Sequence, residues 1–189
     1  MENLTEKLLA LYRSKWSPYI DLLREIAEND PAPEPSNPFL ICVDEEEQWT
    51  KADLKVMVFG QETCGWEGYA GTPAEYLLDL YRRRFHGREW EEGDRRPFFR
   101  AFSLLAALLA AKFPDKHIQY LWNNIIKVGR SDEKGRPPVH IYELELEYFC
   151  VIPSEVEILR PDVILFFTGP DYDDAIRNNF GAVPQTAIP

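Results

Sequence analysis

The sequence predicts a three-layer α/β protein, in which helices cover both faces of a short, mainly parallel central sheet. Three almost continuous apolar runs, 54–59, 118–122 and 163–167, are the first basis of this prediction. Their length and their β-branched and aromatic content are typical of strands that are buried on both faces. Segments with helical periodicity separate the three runs, and an alternation of strands and helices indicates a parallel sheet.

The N-terminal part of the chain, residues 1–38, is predicted to be a helical extension that precedes the α/β core. Apolar residues with helical spacing run up to Tyr12, and a second run of this kind begins at Pro18. Because Ser17 can cap a helix and proline suits a first helical turn, we predict two helices with a break between these residues. Four prolines then predict an extended connection. We expect one domain, with residues 39–189 as its core.

Further helices are predicted between and after the strands. Thr72-Pro73-Ala74-Glu75 has the pattern of a capping box, and it predicts a helix that begins there and ends near Phe85. Pro97 begins the most apolar helix, which runs to Phe113 and is expected to pack closely on the sheet. Shorter helices are expected at 141–150, at 154–159 and from Asp171 onward.

The edges of such a small sheet need protection. Phe39–Val43 is a short apolar run that we predict as an edge strand. A sheet of three parallel strands has two open edges, which proteins usually cover. We therefore expect this run, the tail 182–189 or a second subunit to protect one of them.

Polar residues follow each predicted strand directly. Right-handed crossovers place the carboxyl ends of parallel strands at one edge of the sheet, which is where ligands bind in open α/β proteins. A carboxylate in such a crevice suits base catalysis, and amides suit recognition of a small planar molecule. We therefore expect one crevice that is lined by Gln61 and Glu62, by Asn123 and Asn124, and by residues 168–171.

Composition excludes several classes of protein. No apolar run approaches the ~18 residues that a membrane span needs, and the N-terminus does not have the pattern of a secretory signal. Cys42, Cys64 and Cys150 are odd in number and widely spaced, which argues against a disulfide framework and against a zinc site. We therefore predict a cytoplasmic protein with no metal or other cofactor.

Charge is distributed unevenly along the chain. The net charge is −11, which argues against a protein that simply coats nucleic acid. Residues 54–130 nevertheless carry 12 basic and 9 acidic side chains, with a cluster of arginines between Arg82 and Arg100. This cluster is either a solvated helix end followed by a loop or a surface that contacts phosphates.

The strand ends resemble the motifs of a known family. Gly60-Gln61-Glu62 after an apolar strand resembles the first motif of the uracil-DNA glycosylase superfamily, which reads Gly-Gln-Asp-Pro-Tyr in its best-known branch. Leu121-Trp122-Asn123-Asn124 resembles the strand end that carries the asparagine recognising the base. Residues 161–169 resemble a strand that ends in glycine before a helix. The resemblance covers roughly residues 54–176, in the family's order.

This resemblance implies a glycosylase-like fold and a base-excision enzyme that hydrolyses the N-glycosidic bond of a flipped base. Glu62 stands where the family has its catalytic aspartate, and the resemblance implies Glu62 and Gln61 as the catalytic residues. Asn123 or Asn124 stands where the family recognises the base. Trp66 or Tyr69 would stack on that base. Uracil-containing DNA is the implied partner, through the basic segment 82–100, and an oligomer is possible. The predicted substrate-binding residues are Gly60, Asn123, Asn124, Trp66, Thr168 and Gly169.

The chain also departs from the family's pattern. Glu62 is one methylene longer than aspartate, and Thr63-Cys64 replaces Pro-Tyr. The family's second motif, a His-Pro-Ser loop after a fourth strand, has no counterpart, and we interpret all three histidines of the chain as surface or packing residues: His86, His117 and His140. One alternative to a glycosylase is therefore an inactive glycosylase-like domain that binds a nucleobase, a nucleotide or a protein. Another is an unrelated enzyme that uses Cys64 as a nucleophile.

Overall fold

Three parallel strands form the sheet: β1 (Leu54–Gly60), β2 (Ile118–Asn124) and β3 (Val163–Phe166), in the order β2-β1-β3. The computed structural model describes residues 3–29, 34–68, 70–86, 97–131 and 134–181 of the chain. All three strands form at the predicted apolar runs, so the predicted mixed α/β class with a short parallel sheet is confirmed. The register sets Gly60 directly opposite Asn124 at the carboxyl end of the sheet.

Seven α-helices accompany the sheet in the described residues. A π-helical turn, 82–86, continues the third helix, and a 3₁₀ turn, 170–172, precedes the last one. Within the described residues we find no helix with both the length and the hydrophobicity needed to cross a bilayer. The helices are α1 (Leu4–Asn29), α2 (Glu46–Lys51), α3 (Ala74–Tyr81), α4 (Pro97–Lys112), α5 (Val139–Tyr148), α6 (Ile152–Leu159) and α7 (Asp173–Phe180).

Helix α1 is continuous, so the predicted break before Pro18 is wrong. The helix buries Tyr12 on one side of the proline and Tyr19, Ile20 and Leu23 on the other. A proline inside a helix costs about 3 kcal/mol, whereas each large apolar side chain contributes roughly 1.5–3 kcal/mol when it is buried. The buried residues after the proline together outweigh that cost, and packing therefore keeps the helix intact.

Phe39–Val43 is not a strand, so the prediction of an edge strand at this segment is wrong. The segment has no regular secondary structure and is almost completely buried. Its main chain bonds to other parts of the protein: the Phe39 N–H donates to the Lys127 carbonyl oxygen at 2.7 Å, and the Val43 carbonyl oxygen accepts from the Thr5 hydroxyl at 2.8 Å. Contacts that are distant in sequence, and not a strand ladder, therefore satisfy its polar groups. The tail 182–189 lies outside the described residues.

The start of α3 also differs from the prediction. The helix begins after Pro73, and its start carries no side-chain capping bond. Glu75 pairs with Arg13 of α1 at 2.5 Å, so the side chain that should complete the capping box stabilises a contact between two helices. Helix α4 begins at Pro97 as predicted, but the side chains of Leu104 and Leu108 are about 60% exposed and do not pack on the sheet.

Candidate functional site

The turns that follow the three strands meet at one edge of the sheet. The Gly60 carbonyl oxygen accepts from the Ile125 N–H at 3.0 Å, and that of Gln61 accepts from the Ile126 N–H at 3.1 Å. The side-chain amide of Gln61 donates to the Thr168 carbonyl oxygen at 2.8 Å. These bonds join the turn after β1 to the turns after β2 and β3. The convergence that the strand directions predict is therefore present.

Glu62 is held in a fixed position within these turns. Its side chain is half-buried, and its Oε1 accepts from the Gly135 N–H at 3.1 Å. Its Oε2 accepts a short hydrogen bond from the Tyr172 hydroxyl. Burial and the neighbouring Glu62 carboxylate raise the pKa of Tyr172, so the phenol remains protonated and continues to donate. The carboxylate therefore has one orientation and keeps acceptor sites that face away from these two donors.

Arg136 strengthens the arrangement around Tyr172. Its guanidinium lies 5.2 Å from the centre of the Tyr172 ring and 5.5 Å from that of Tyr142. It also forms a two-pronged ion pair with Asp174 at 2.7 and 3.0 Å, which lowers the pKa of that carboxyl. The loop that carries Gly135 is thereby tied to the start of α7. The sequence did not indicate Gly135, Arg136 or Tyr172 as site residues; only Tyr172 has a local signal, the turn-forming Gly169-Pro170 shortly before it.

Asn123 lies in the interior of the protein and not at the surface of this edge. Its side chain is fully buried, and its Oδ1 accepts from the Lys127 ammonium at 2.5 Å. Its Nδ2 donates to the Glu155 carboxylate at 2.8 Å. Lys127 and Glu155 pair at 2.8 Å, and the Tyr12 hydroxyl donates to the same carboxylate at 2.7 Å. The amide of Asn123 is thus engaged in a buried polar network, which we call the core network.

Asn124 differs from its neighbour because one of its polar atoms has no partner. Its Oδ1 accepts from the Trp122 indole N–H at 2.9 Å, while the buried Nδ2 has no hydrogen bond in the described structure. A Cβ added at Gly60 would lie 2.8 Å from this Oδ1 and 3.2 Å from the Phe98 ring. Glycine at position 60 therefore allows the close approach of β1, Asn124 and Phe98.

The other predicted binding residues differ in how far they are exposed. Trp66 is nearly buried in an aromatic cluster, with its ring 5.0 Å from that of Phe39. Thr168 is buried and its carbonyl oxygen binds Gln61, while Gly169 is exposed with a φ of 77°. Tyr69, the other candidate for stacking, lies outside the described residues.

Thr63, which stands where the family has proline, fixes the base of the loop. Its hydroxyl lies 2.7 Å from that of Ser36, and both oxygens accept from the Gly129 N–H, at 2.9 and 3.0 Å. The next residue, Cys64, is exposed. The loop after β1 is therefore bound to two distant segments at the residue that directly follows Glu62.

The comparisons assign no family. No protein-family model, no curated protein and no solved structure matches this chain. The likeness to the glycosylase superfamily consequently depends on the motif residues alone.

The described residues include all three histidines of the chain. His117 and His140 are exposed, and His86 is half-buried with its Nε2 3.0 Å from the Cys42 carbonyl oxygen. Burial lowers the pKa of His86. The described part of the chain contains no group of three or more His, Cys, Asp and Glu side chains that could hold a metal ion.

The basic segment is largely neutralised where the structure describes it. Arg82 pairs with Asp44 at 2.9 Å, and Arg83 pairs with Asp79 at 3.1 Å. Arg84 lies 3.9 Å from a carboxylate oxygen of Glu67. Residues 87–96 are outside the described residues, and Arg100 is exposed. The first three arginines of the segment therefore have acidic partners within the protein.

Two cavities lie away from the convergent turns. One, of about 560 Å³, lies beside β2, α4 and residues 43–49. The other, of about 340 Å³, lies between α1 and the start of α3. Neither is lined by Glu62, Asn123 or Asn124.

Proposed function

We propose that this protein is a glycosylase-like α/β domain that binds a nucleobase or a similar planar polar molecule at the carboxyl edge of its sheet, without cleaving it. One observation carries the proposal: the Gly135 N–H and the Tyr172 O–H hold the half-exposed carboxylate of Glu62 where three turns converge. A fixed acceptor of this kind recognises the N–H groups on the edge of a base.

Binding is favoured over cleavage by two features of the site. The Asn123 amide, which the family resemblance assigns to base recognition, is engaged with Lys127 and Glu155 in the core network. The Tyr172 hydroxyl and the Gly135 N–H each donate to one oxygen of Glu62, so both carboxylate oxygens already have a partner within the protein. Both features suit an anchor for a ligand better than a general base.

Thermal unfolding in the presence of nucleosides tests the proposal. We expect one of uridine, cytidine, adenosine and guanosine to raise the Tm of the wild-type protein at millimolar concentration, because a ligand that binds only the folded state stabilises it. Glu62→Gln should abolish this shift. The amide has a single oxygen, so it cannot accept from Gly135, from Tyr172 and from the ligand as the carboxylate does. Glu157→Gln, at an exposed position of α6, is the matched control and should leave the shift unchanged. The proposal fails if no nucleoside stabilises the protein, or if Glu62→Gln responds like wild type.

A second candidate is hydrolysis of the N-glycosidic bond in uracil-containing DNA. It is favoured by the partial exposure of Glu62, which leaves water access to a fixed carboxylate. Here Glu62 would orient water and stabilise the cationic sugar, and Arg100 would contribute to DNA binding. Alkali-labile sites in single- or double-stranded uracil DNA that depend on Glu62 would favour this function over simple binding. If Cys64→Ser leaves such activity unchanged, a nucleophilic role of Cys64 is excluded.

A further inference from the structure

We propose that the outer edge of β2 and the groove beside it bind an extended, basic segment of a partner protein, which joins the sheet as an additional strand. We call this region the β2 groove: Val43–Glu45, Gln48, Trp49, Phe85, His86, Phe102, Ser103, Ala106 and Ile118–Leu121. The proposal is independent of the ligand site at Glu62, because the cavity lies at the amino-terminal half of β2.

Within the described residues, the outer side of β2 has main-chain groups without hydrogen-bond partners. In a parallel ladder, successive residues of a strand direct their N–H and C=O groups to opposite sides. The Ile125 N–H binds the Gly60 carbonyl of β1, while the Trp122 carbonyl points away from β1 and accepts from the Tyr81 hydroxyl at 2.8 Å. The main-chain N–H and C=O groups of Ile118 and Tyr120 therefore point away from β1. Within the described residues these groups make no hydrogen bond on that side.

The groove has the shape and the surface that an added strand requires. A cavity of about 560 Å³ runs along the β2 edge, with α4 on one wall and residues 43–49 on the other. Buried aromatic side chains line it, among them Trp49, Phe85 and Phe102, and the half-exposed Tyr120 belongs to the edge itself. Strand addition uses main-chain bonds for affinity and pockets of this kind for alternate side chains.

The charge of the groove indicates a basic occupant. Four consecutive carboxylates, Asp44–Glu47, lie along one wall or next to it, and the whole chain has a net charge of −11. Arg82 pairs with Asp44 and Lys51 pairs with Glu47, while Glu45 accepts from the neutral side chain of Gln48 and forms no ion pair within the described residues. Opposite charge on a partner segment would speed association and fix its position, whereas an acidic segment would be repelled.

The sequence of β2 is also unlike that of a protected edge. Proteins guard open edges with lysine, proline or inward-pointing charges, and Ile118–Asn124 contains none of these. An apolar strand with free outward groups and an adjoining groove is therefore suited to pairing.

Calorimetric titration with synthetic peptides tests this proposal. The probe is a short acetylated peptide in which lysine and valine alternate, and we expect it to bind the full-length protein at low salt. A peptide with glutamate in place of lysine should not bind, and one with a central proline should bind at least about tenfold more weakly. Amide hydrogen exchange across residues 118–122 should become slower when the first peptide is added, because the outward N–H groups gain partners.

Three variants locate the binding. Tyr120→Pro removes an outward N–H without breaking a bond to β1, and proline is tolerated at edge positions, so we expect binding to fall at least about tenfold. Gln119→Lys, which adds a positive charge to the groove, should have the same effect and serves if the proline variant does not fold. Ile164→Pro makes the matched change on the outer edge of β3 and should leave binding unchanged.

The proposal is overturned if the lysine–valine peptide does not bind, or if the glutamate peptide binds equally well. Unchanged binding in both Tyr120→Pro and Gln119→Lys would also overturn it. Sedimentation of the protein alone identifies the competing occupant: a wild-type dimer that Tyr120→Pro or Gln119→Lys converts to a monomer would assign the edge to a second copy of this chain.

Discussion

The ammonium of Lys127 lies 2.8 Å from the carboxylate of Glu155, and neither side chain has any exposed surface. Asn123 and Tyr12 complete the hydrogen bonding of this pair. Two buried charges of opposite sign are tolerated when their mutual attraction and additional hydrogen bonds offset the loss of water. The core network meets that condition, because each charged group has at least two polar contacts.

Lys127→Met is expected to destabilise the protein strongly. The substitution leaves the Glu155 carboxylate buried without its cation. We expect this to lower the free energy of unfolding by roughly 3–5 kcal/mol. Chemical denaturation measures the free energy of unfolding directly. Lys51→Met is the matched control, since Lys51 forms an exposed ion pair with Glu47 and its loss should cost about 1 kcal/mol or less. Equal losses in the two variants would contradict the importance of the buried pair.

Glu145 should make stability fall as the pH rises from about 4.5 to about 7. Burial raises the pKa of Glu145 to about 7, although the N–H groups of Lys127 and Val128 donate to its carboxylate. In the unfolded chain a glutamate titrates near ~4.3, so between the two values the folded protein holds a proton that the unfolded chain has lost. The stabilisation is complete below the lower value and is lost as pH rises through the higher one.

The comparison of wild type with Glu145→Gln isolates this effect. Between about pH 4.5 and 7.5, wild type should lose up to roughly 3 kcal/mol more of its free energy of unfolding than the variant does. Denaturation curves at several pH values provide the measurement. Parallel pH dependences in the two proteins would show that Glu145 ionises in the folded state as readily as in water.

The bond between Tyr172 and Glu62 should appear as a coupling energy between the two residues. Hydrogen bonds to charged groups contribute about 1.5–3 kcal/mol, so Tyr172→Phe should lower the free energy of unfolding by about that amount. In a Glu62→Gln background the same change should cost clearly less. A double-mutant cycle measures the difference, and costs that simply add would mean that the two side chains do not interact.

Gly129→Ala is expected to prevent normal packing of the loop after β1. A Cβ at this position would lie 1.8 Å from the Thr63 carbonyl oxygen and 2.8 Å from its hydroxyl, so the backbone must move. We expect a loss of about 3 kcal/mol or more in the free energy of unfolding. Gly60→Ala should cost less, because its nearest atom belongs to the side chain of Asn124, which can shift. Urea denaturation of both variants gives this order, and the reverse order would refute it.

Local sequence patterns predicted the strands and most helices, because an apolar run or a helical period reports burial directly. They failed where distant residues decide the outcome. Tertiary burial keeps α1 continuous through Pro18, and partners from α1 and from the segment after β2 bind residues 39–43 without a strand ladder.

In the candidate site, too, some features follow from the local sequence and others depend on distant residues. The position of Glu62 at the carboxyl end of β1 follows from the sequence, but Gly135 and Tyr172 are 73 and 110 residues away from it. Nor does the run Ile125-Ile126-Lys127-Val128 reveal that its lysine is fully buried, because only Glu155 and Asn123 make that burial tolerable.

The bond between Tyr12 and Glu155 spans 143 residues of the chain. During translation, α1 therefore emerges long before its partner exists, and at about 5–20 residues per second the delay is roughly 7–30 s. Throughout this interval α1 can contact only segments made earlier, such as residues 39–43 and α3, because α5 and α6, which also pack against it, are not yet complete. The last third of the nascent chain thus decides when the first helix finds its place.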